Sequence, residues 1–346
     1  MRAALAAAVL ATACQRAPST DPRMVSEWMH TLYGAIRVER LSPPVASRLM
    51  AYASAALYTG LAAATPGMPR LERRLNEFPN IDESLGRRLD PTLTSVAAER
   101  VVLDSLLLEA LPTTRATIGR LADSLAQARA ALVQATDVRA ASETTGRAIG
   151  RAIVAWARRD GFDSTRTMAA FVPPIGDAFW VNDAPANTYA AQNLSGASEF
   201  VALDNPANVL RAGSVSDRGL ILNRPKRAAA KTLPAVNMAG TSEPYWARLR
   251  PFVLRAWREC PVPDPPSYST DTSSVLYRDA AIVHATGSRL TSEQRAIALY
   301  WADNAGESGT PVGHWLSFPY GDLGGRALGE CIGAKVSERL AAPSAR

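Results

Sequence analysis

A chain of 346 residues, 47% hydrophobic and 20% charged, is long enough to bury a sizeable core, and its composition excludes both a disordered and a fibrous protein. The balance is basic, net +6 with a sequence pI of about 9.5, which raises the question of a polyanionic partner. The pattern argues against one. Only Lys226, Lys231 and Lys335 are lysines, and the arginines are spread along helical stretches beside acidic residues, as in Glu72-Arg73-Arg74 and Glu99-Arg100. A solvated helix face accounts for such pairs, and no nucleic-acid partner is expected.

The N-terminus opens with Met1-Arg2, a short positive region, followed by an apolar run from Ala3 to Ala13. The run is too short to span a bilayer, which needs about 20 residues. Small residues at its end give it the form of a secretory signal covering 1–13. A cysteine directly after them, Cys14, resembles a bacterial lipobox, so Cys14 is the expected lipidation site and a membrane the expected partner. The alternative is ordinary cleavage near Ala13. The Ser/Pro/Thr-rich residues up to Arg23 then form a flexible tether, 14–23. The chain is expected to be exported, as a periplasmic or outer-membrane lipoprotein. Two further cysteines, Cys260 and Cys331, could form one bridge in an exported protein. No bridge is assigned, because Cys331 lies in a tail of different character.

Helix signals dominate the rest of the chain. Met24 to Val38 carries Met24, Trp28, Leu32, Ala35 and Ile36 at helical spacing, and Pro43-Pro44 opens a second segment that ends at Pro66-Gly67. Leu93 to Leu111 is richly apolar and stops at Pro112. Thr113 or Thr114 can cap the next helix, with Ile118, Leu121, Leu125, Ala128 and Leu132 on one face. Ala140 to Arg159 turns Ile149, Ala152, Ile153 and Trp156 inward and Arg147, Arg151 and Arg158 outward, with Asp160-Gly161 as its stop. From Asp163 to Glu243 the chain is rich in Pro, Asn, Gly and Ser without a sustained period, which predicts long functional or wrapping loops. Helical pattern returns over Tyr245 to Trp257 and Ser273 to Thr286. Thr291-Ser292-Glu293-Gln294 has capping-box form and opens a helix through Ile297 and Trp301. No strand alternation is convincing. The expected fold is all-α, a helical bundle with long irregular loops in the middle of the chain.

Generic catalytic signatures are missing. The three histidines, His30, His284 and His314, do not stand at metal-ligand spacing, and there is no GxSxG, P-loop or GxGxxG. Catalytic, cofactor-binding and metal residues are therefore assigned as none.

Several segments, in order, carry a resemblance. Ser42-Pro-Pro-Val-Ala-Ser-Arg-Leu-Met-Ala-Tyr52 with Ala56-Leu57-Tyr58 comes first, then Ala98-Glu-Arg-Val-Val-Leu-Asp-Ser-Leu-Leu107 and Thr145-Gly-Arg-Ala-Ile-Gly-Arg-Ala-Ile-Val-Ala-Trp156. Phe179-Trp180-Val181, Tyr245-Trp246, Leu249-Arg-Pro-Phe-Val-Leu254 and Cys260-Pro-Val-Pro-Asp-Pro-Pro266 continue it. The longest stretch runs from Leu290 through Gly313-His314-Trp315. Together, over residues 24–317, they resemble the N-terminal helical portion of bacterial vanadium-dependent haloperoxidase-like proteins, in the superfamily that includes the type 2 phosphatidic acid phosphatases.

That resemblance implies an oxyanion pocket built from a lysine upstream of an Arg-Pro pair, a Pro-Ser-Gly-His element, and a Ser-Arg pair with a following histidine. Cations and hydroxyls must surround vanadate or phosphate while the histidines handle bonding and protons. None of the lysines has the required Arg-Pro, Ser47-Arg48 and Ser288-Arg289 lack the histidine, and Pro311-Val312-Gly313-His314 has valine where the hydroxyl belongs. In the family the pocket comes after further helices beyond the Gly-His-Trp stretch. Here 318–346 is a glycine-interrupted, divergent tail, left by a frameshift or belonging to a genuine short homologue. The expectation is a haloperoxidase-like or phosphatase-like chain, catalytically incomplete, with vanadate bound only in intact relatives. Self-association or a separate catalytic half are the expected protein partners. The alternative is a non-enzymatic cell-envelope lipoprotein that acts as a binding or scaffold module.

Overall fold

The computed structural model describes residues 20, 22–39, 41, 43–81, 88–169, 245–261, 266–301 and 319–341. Among these residues there is no strand, and the regular elements are helices. The signal segment 1–13, Cys14, most of the 14–23 tether, the loop stretch 170–244 and His314 fall outside the described residues.

Helix α1 spans Arg23–Glu39 and buries Met24, Trp28, Leu32, Ala35 and Ile36, the stripe its periodicity announces. Helix α2, Pro43–Ala64, ends one residue before Thr65, where the pyrrolidine ring of Pro66 disfavours helical backbone. Helix α3, Pro91–Leu106, starts with proline at its first position, where no N–H is needed. Asp90 caps it, accepting the Leu93 N–H at 3.0 Å. Helix α4 spans Pro112–Ala130 and helix α5 Thr136–Arg158. A five-residue helix α6, Phe162–Arg166, comes after Gly161, whose φ of 95° lies in the left-handed region that glycine reaches without strain. Beyond lie α7 (Val275–Gly287), α8 (Ser292–Trp301) and α9 (Pro319–Ala341). Thr291 and Gln294 form the expected reciprocal capping box, with Thr291 N–H to Gln294 Oε1 at 3.0 Å and Gln294 N–H to Thr291 Oγ1 at 3.2 Å.

The core is organised around α3, which packs against α2, α4 and α5, while α1 lies against α4 and α2. One apolar cluster joins α1, α2, α3 and α4 through Trp28, Leu32, Leu49, Leu57, Leu103 and Ile118. The other joins α2, α3 and α5 through Tyr52, Ala56, Val102, Ile149, Ile153 and Trp156, and reaches Leu71, Phe78 and Ile81 of the α2–α3 connection.

Local expectations need correction at several points. The apolar Leu93–Leu111 run stops being helical at Leu106; Leu107 stays buried on the turn, whereas Leu108 is 62% exposed. Neither threonine caps α4: the cap position is Leu111, and Glu39 of α1 accepts both the Leu111 N–H at 3.1 Å and the Thr114 hydroxyl. A residue distant in sequence thus supplies the oxygen that the local chain lacks. The buried side of α4 runs through Thr114, Ile118, Gly119 and Ala122, leaving Ala128 and Leu132 exposed. In place of a helix over Tyr245 to Trp257 there are two 3-10 turns, Trp246–Arg248 and Trp257–Glu259, and between them the chain extends into Pro251, which has no N–H and disfavours helix before it. The tail is helical over Pro319–Ala341 despite its glycines, and Cys331 within it is bonded to Cys260, 5.7 Å apart between Cα atoms.

The approach of α3 to its neighbours is set by missing side chains. A Cβ on Gly146 of α5 would stand 2.7 Å from the Ala97 Cβ and collide with the Thr94 carbonyl; one on Gly150 would meet Val101 Cβ at 2.6 Å. A Cβ on Gly60 of α2 would meet the Ser95 backbone N at 2.8 Å. Gly146→Ala should therefore destabilise by about 1–3 kcal/mol through overpacking. Gly34→Ala, at an exposed α1 position with nothing within 4 Å, should stabilise by roughly 0.5–1 kcal/mol. Denaturant midpoints of the two variants, moving in opposite directions, would check this.

Candidate functional site: a buried arginine–carboxylate clasp

The densest polar cluster gathers around Asp160, 3% exposed at the end of α5. Its Oδ2 accepts the Arg48 Nε–H at 2.6 Å and the Tyr52 hydroxyl at 2.9 Å, both from α2. Oδ1 accepts the Phe162 N–H at 2.8 Å, and the Asp160 carbonyl accepts the Arg250 N–H at 2.8 Å. Arg48 also reaches the Ala157 carbonyl at 3.2 Å. Arg250 donates to the Trp156 carbonyl at 3.0 Å and to the Tyr52 oxygen and Glu77 Oε2, each at 3.3 Å. The two guanidinium planes lie over aromatic rings, Arg48 at 4.3 Å from the Phe162 centroid and Arg250 at 4.8 Å from that of Trp156. Tyr52, Trp156 and Phe252 pack mutually, with centroids 4.8–5.1 Å apart. Burial, then the charge of Asp160 and its hydrogen bond, push the Tyr52 hydroxyl well above its ordinary range against the opposing arginines. Tyr52 therefore stays a neutral donor to Asp160 while it accepts from Arg250.

A second clasp repeats the chemistry. Asp90, 2% exposed, accepts from Arg129 through both oxygens, with Nε–H donating at 3.1 and 2.9 Å and Nη2–H at 2.7 Å. Its backbone N–H donates to Ser142 Oγ at 2.8 Å. One carboxylate thus caps α3 while tying it to the end of α4 and the start of α5.

Glu99, in the middle of α3, is different. It is fully buried, neither carboxyl oxygen has a hydrogen-bond partner, and desolvation raises its pKa well above the usual carboxylate range. The solvated-face reading of Glu99-Arg100 holds only for its second half, since Arg100 is paired with Asp104 at 2.9 Å and Asp123 at 3.0 Å. Glu72-Arg73-Arg74 departs from that reading too: Arg74 is 7% exposed, and Glu72 Oε2 is buried without a hydrogen-bond partner. Sequence reasoning read Trp156 as inward-facing but missed the charged members of these clusters. The available signals were Ser-Arg-Leu-Met-Ala-Tyr on α2 and the Asp160-Gly161 stop, which pointed to helix ends and not to charge pairing. His30 and His284 are exposed, on α1 and α7.

No protein-family model matches the sequence, and no curated protein does. Among solved structures the chain is similar to one described as the crystal structure of the first bacterial vanadium dependant iodoperoxidase, with a TM-score of 0.57 and 20% identity. The alignment covers 92% of this chain but 66% of that one, so the chain spans just under two thirds of its structural neighbour. The fold is haloperoxidase-like. At this identity the likeness concerns the arrangement of helices and not the chemistry.

The three clasp arginines do not fit vanadate. An oxyanion pocket needs cations that converge on empty, carboxylate-free space. Arg48 faces Asp160, Arg129 faces Asp90, and Arg250 faces Glu77, each pair already in contact. A small cavity among the described residues, lined by Thr59, Ala63, Arg70, Leu71, Glu72 and Ile81, has a volume of about 10 Å³, room for roughly one water.

The clusters lead to two expected outcomes. Asp160→Ala leaves Arg48 buried at 10% exposure without its partner, and should cost roughly 3–5 kcal/mol in urea unfolding. Glu99 keeps its proton in the folded state at pH values where the unfolded chain has released it, above about 4.5. Stability should therefore fall as pH rises from there, by up to about 1.4 kcal/mol per pH unit for one proton. Glu99→Gln should remove this slope, and parallel urea-midpoint profiles for wild type and variant between about pH 5 and 8 would mean that Glu99 ionises freely in the fold.

Proposed function

We propose that this chain is the helical scaffold portion of an exported, haloperoxidase-like protein, and that its 346 residues perform no oxyanion chemistry on their own. The observation that carries this reading is a pairing of opposites. The likeness to a vanadium iodoperoxidase extends over 92% of the chain, yet Arg48 and Arg129 are committed to carboxylates and the oxyanion-pocket pattern does not occur in its sequence. Halide oxidation with peroxide, or phosphomonoester cleavage, would then require a lysine, arginine and histidine set contributed from outside these residues, by a separate catalytic half. Cys14 is the proposed lipid attachment point, holding the domain at a membrane through the 14–23 tether; a diacylglycerol plus an amide-linked chain, at about 0.8 kcal/mol per buried methylene, anchors a domain stably.

A second reading, a non-enzymatic envelope lipoprotein that binds or scaffolds, draws on the surface of α7 and α8. No residue of α7 is buried, and Val275, Ile282 and Ile297 are 50%, 61% and 45% exposed. Apolar side chains of this kind favour association with another chain under either reading.

One experiment addresses the primary reading. The chain and a Cys14→Ser variant are expressed in a bacterium, fractionated, purified, and assayed with peroxide, iodide or bromide, and a chromogenic phosphomonoester, with and without added vanadate. The expected result is activity at the no-protein background in every assay, with wild type in the membrane fraction and the variant outside it. Vanadate-dependent halide oxidation above background would overturn the scaffold reading, and identical partitioning of the two proteins would overturn the anchor.

A further inference from the structure

Among its described side chains, helix α9 meets the rest of the protein through a partly buried stripe, the attraction of Lys335 to Glu259, a hydrogen-bonded C-terminal turn and one covalent bond. Over its second half the partly buried residues are Leu328, Cys331, Ile332, Lys335, Val336 and Arg339, a single stripe at helical spacing, and none of them is fully buried. The positions between them are exposed. Gly329 and Gly333 lie within this stretch with nothing within 4 Å of where a Cβ would stand, so they weaken the helix without bringing it closer to anything. At its C-terminal turn, Arg74 donates to the carbonyls of Arg339, at 3.0 Å, and Leu340, and Arg339 donates back to the Arg74 carbonyl at 3.2 Å. The described side chains place three apolar groups, Leu328, Ile332 and Val336, on the inner face of this 23-residue helix, and its glycines weaken it. Its covalent attachment is the bond from Cys331 to Cys260.

The other end of that bond sits on firm ground. Cys260 is 1% exposed. The segment before it is fixed to the core independently of α9: Asn76 donates to the Pro251 and Leu254 carbonyls at 2.8 and 2.7 Å, and its N–H donates to the Phe252 carbonyl at 2.8 Å. Arg250 belongs to the Asp160 clasp. The turn carrying Cys260 closes on itself, with Glu259 accepting the Arg255 and Ala256 N–H groups at 2.6 and 3.0 Å. Breaking the bond therefore removes the covalent tie of α9 and leaves these contacts of 245–261 in place.

We propose that the Cys260–Cys331 disulfide is a redox latch, such that thiol–disulfide exchange releases α9 while the α1–α5 bundle stays folded. The reductant is a dithiol. One of its thiolates attacks the Sγ of Cys331, the more accessible sulfur, and the bond to Cys260 breaks with Cys260 leaving as a thiolate that takes up a proton. The second thiolate of the reductant then attacks the mixed disulfide and releases Cys331. Two electrons and two protons pass to the protein, and the dithiol becomes a disulfide. Release uncovers Cys260, the Arg74 guanidinium and the inner stripe of α9.

The test uses the folded full chain, oxidised or fully reduced with dithiothreitol, followed by hydrogen exchange and limited trypsin digestion. On reduction, exchange in α9 should accelerate at least tenfold and cleavage at Lys335 and Arg339 should become fast, while α2, α3 and α5 exchange at an unchanged rate. A Cys331→Ser variant, purified without reductant, should reproduce the released state. Unchanged α9 exchange after both thiols have been labelled would show that packing alone holds the helix and would overturn the latch. Loss of protection in α2, α3 and α5 in step with α9 would also overturn it, making the bond a staple of the whole fold. So would ready alkylation of Cys260 and Cys331 before any reductant is added.

Discussion

The close approach of three helices at glycine positions sets the geometry on which the remaining structure depends. Gly60 lets α2 come against the backbone of Ser95, and Gly146 and Gly150 bring α5 against Thr94, Ala97, Ala98 and Val101. With α3 gripped from both sides, nearly all faces of its first three turns are buried, including Thr94, Ser95 and Glu99. Contact this tight leaves little room for the side-chain layer that normally separates packed helices by about 8–10 Å. The polar side chains trapped there must then find partners within the interface. Ser95 donates to the Leu57 carbonyl at 3.2 Å and Thr94 to the Asp90 carbonyl at 2.8 Å. Glu99 finds none, and a neutral carboxyl is the cheaper form in which to bury it.

Once α2, α3 and α5 are fixed in this way, the charged clasps serve as devices for the ends. Helical packing determines the middle of each helix but says little about where the chain goes after it. Asp160 stands at the point where α5 ends, and its contacts fix the return of the chain through Phe162 and, from far along the sequence, Arg250. Asp90 does the same for the entry to α3 and Glu39 for the entry to α4. Asp160 and Asp90 offer several acceptor sites to donors from two or three segments, and Glu39 offers one oxygen to two donors at the start of α4. Breaking such a site leaves a buried charge without compensation, so the clasps enforce one arrangement of helix ends more than they add net stability.

This division explains what could be read from the sequence. The stripe Met24, Trp28, Leu32, Ala35, Ile36 and the inward set Ile149, Ala152, Ile153, Trp156 are local periodicities, and the structure buries all of them but Ala152, which is partly buried. The capping box at Thr291 and the stop at Gly161 are local too, and both stand as read. The clasps depend on pairs separated by 112 and 39 residues, Arg48 with Asp160 and Arg129 with Asp90, for which a single sequence carries no periodic signal. Glu99 next to Arg100 looks like an ordinary exposed pair unless the helix is known to be covered on all sides. The Gly146–Gly150 spacing was the one legible hint of that covering, because two glycines one turn apart on a helix mark a face where another backbone comes close.

Arginine rather than lysine at the clasps has a geometric reason. The Arg48 guanidinium must bond Asp160 through Nε, reach the Ala157 carbonyl through Nη2, and lie over the Phe162 ring at the same time. Arg250 must bridge the Trp156 carbonyl, Tyr52 and Glu77 while covering Trp156. A planar group with donors in a fixed fork does this with its faces still available for stacking. An ammonium, a strongly hydrated point charge, would satisfy the carboxylate and leave the carbonyls and rings unserved. The preference for arginine over lysine among the basic residues therefore has, at these positions, a structural cause internal to the fold. The same commitment keeps these guanidinium groups from an oxyanion: their bonds already end on carboxylates and backbone carbonyls. The likeness in helix arrangement to a vanadium iodoperoxidase thus goes together with clasp arginines, Arg48 and Arg250, whose described bonds hold helix ends together.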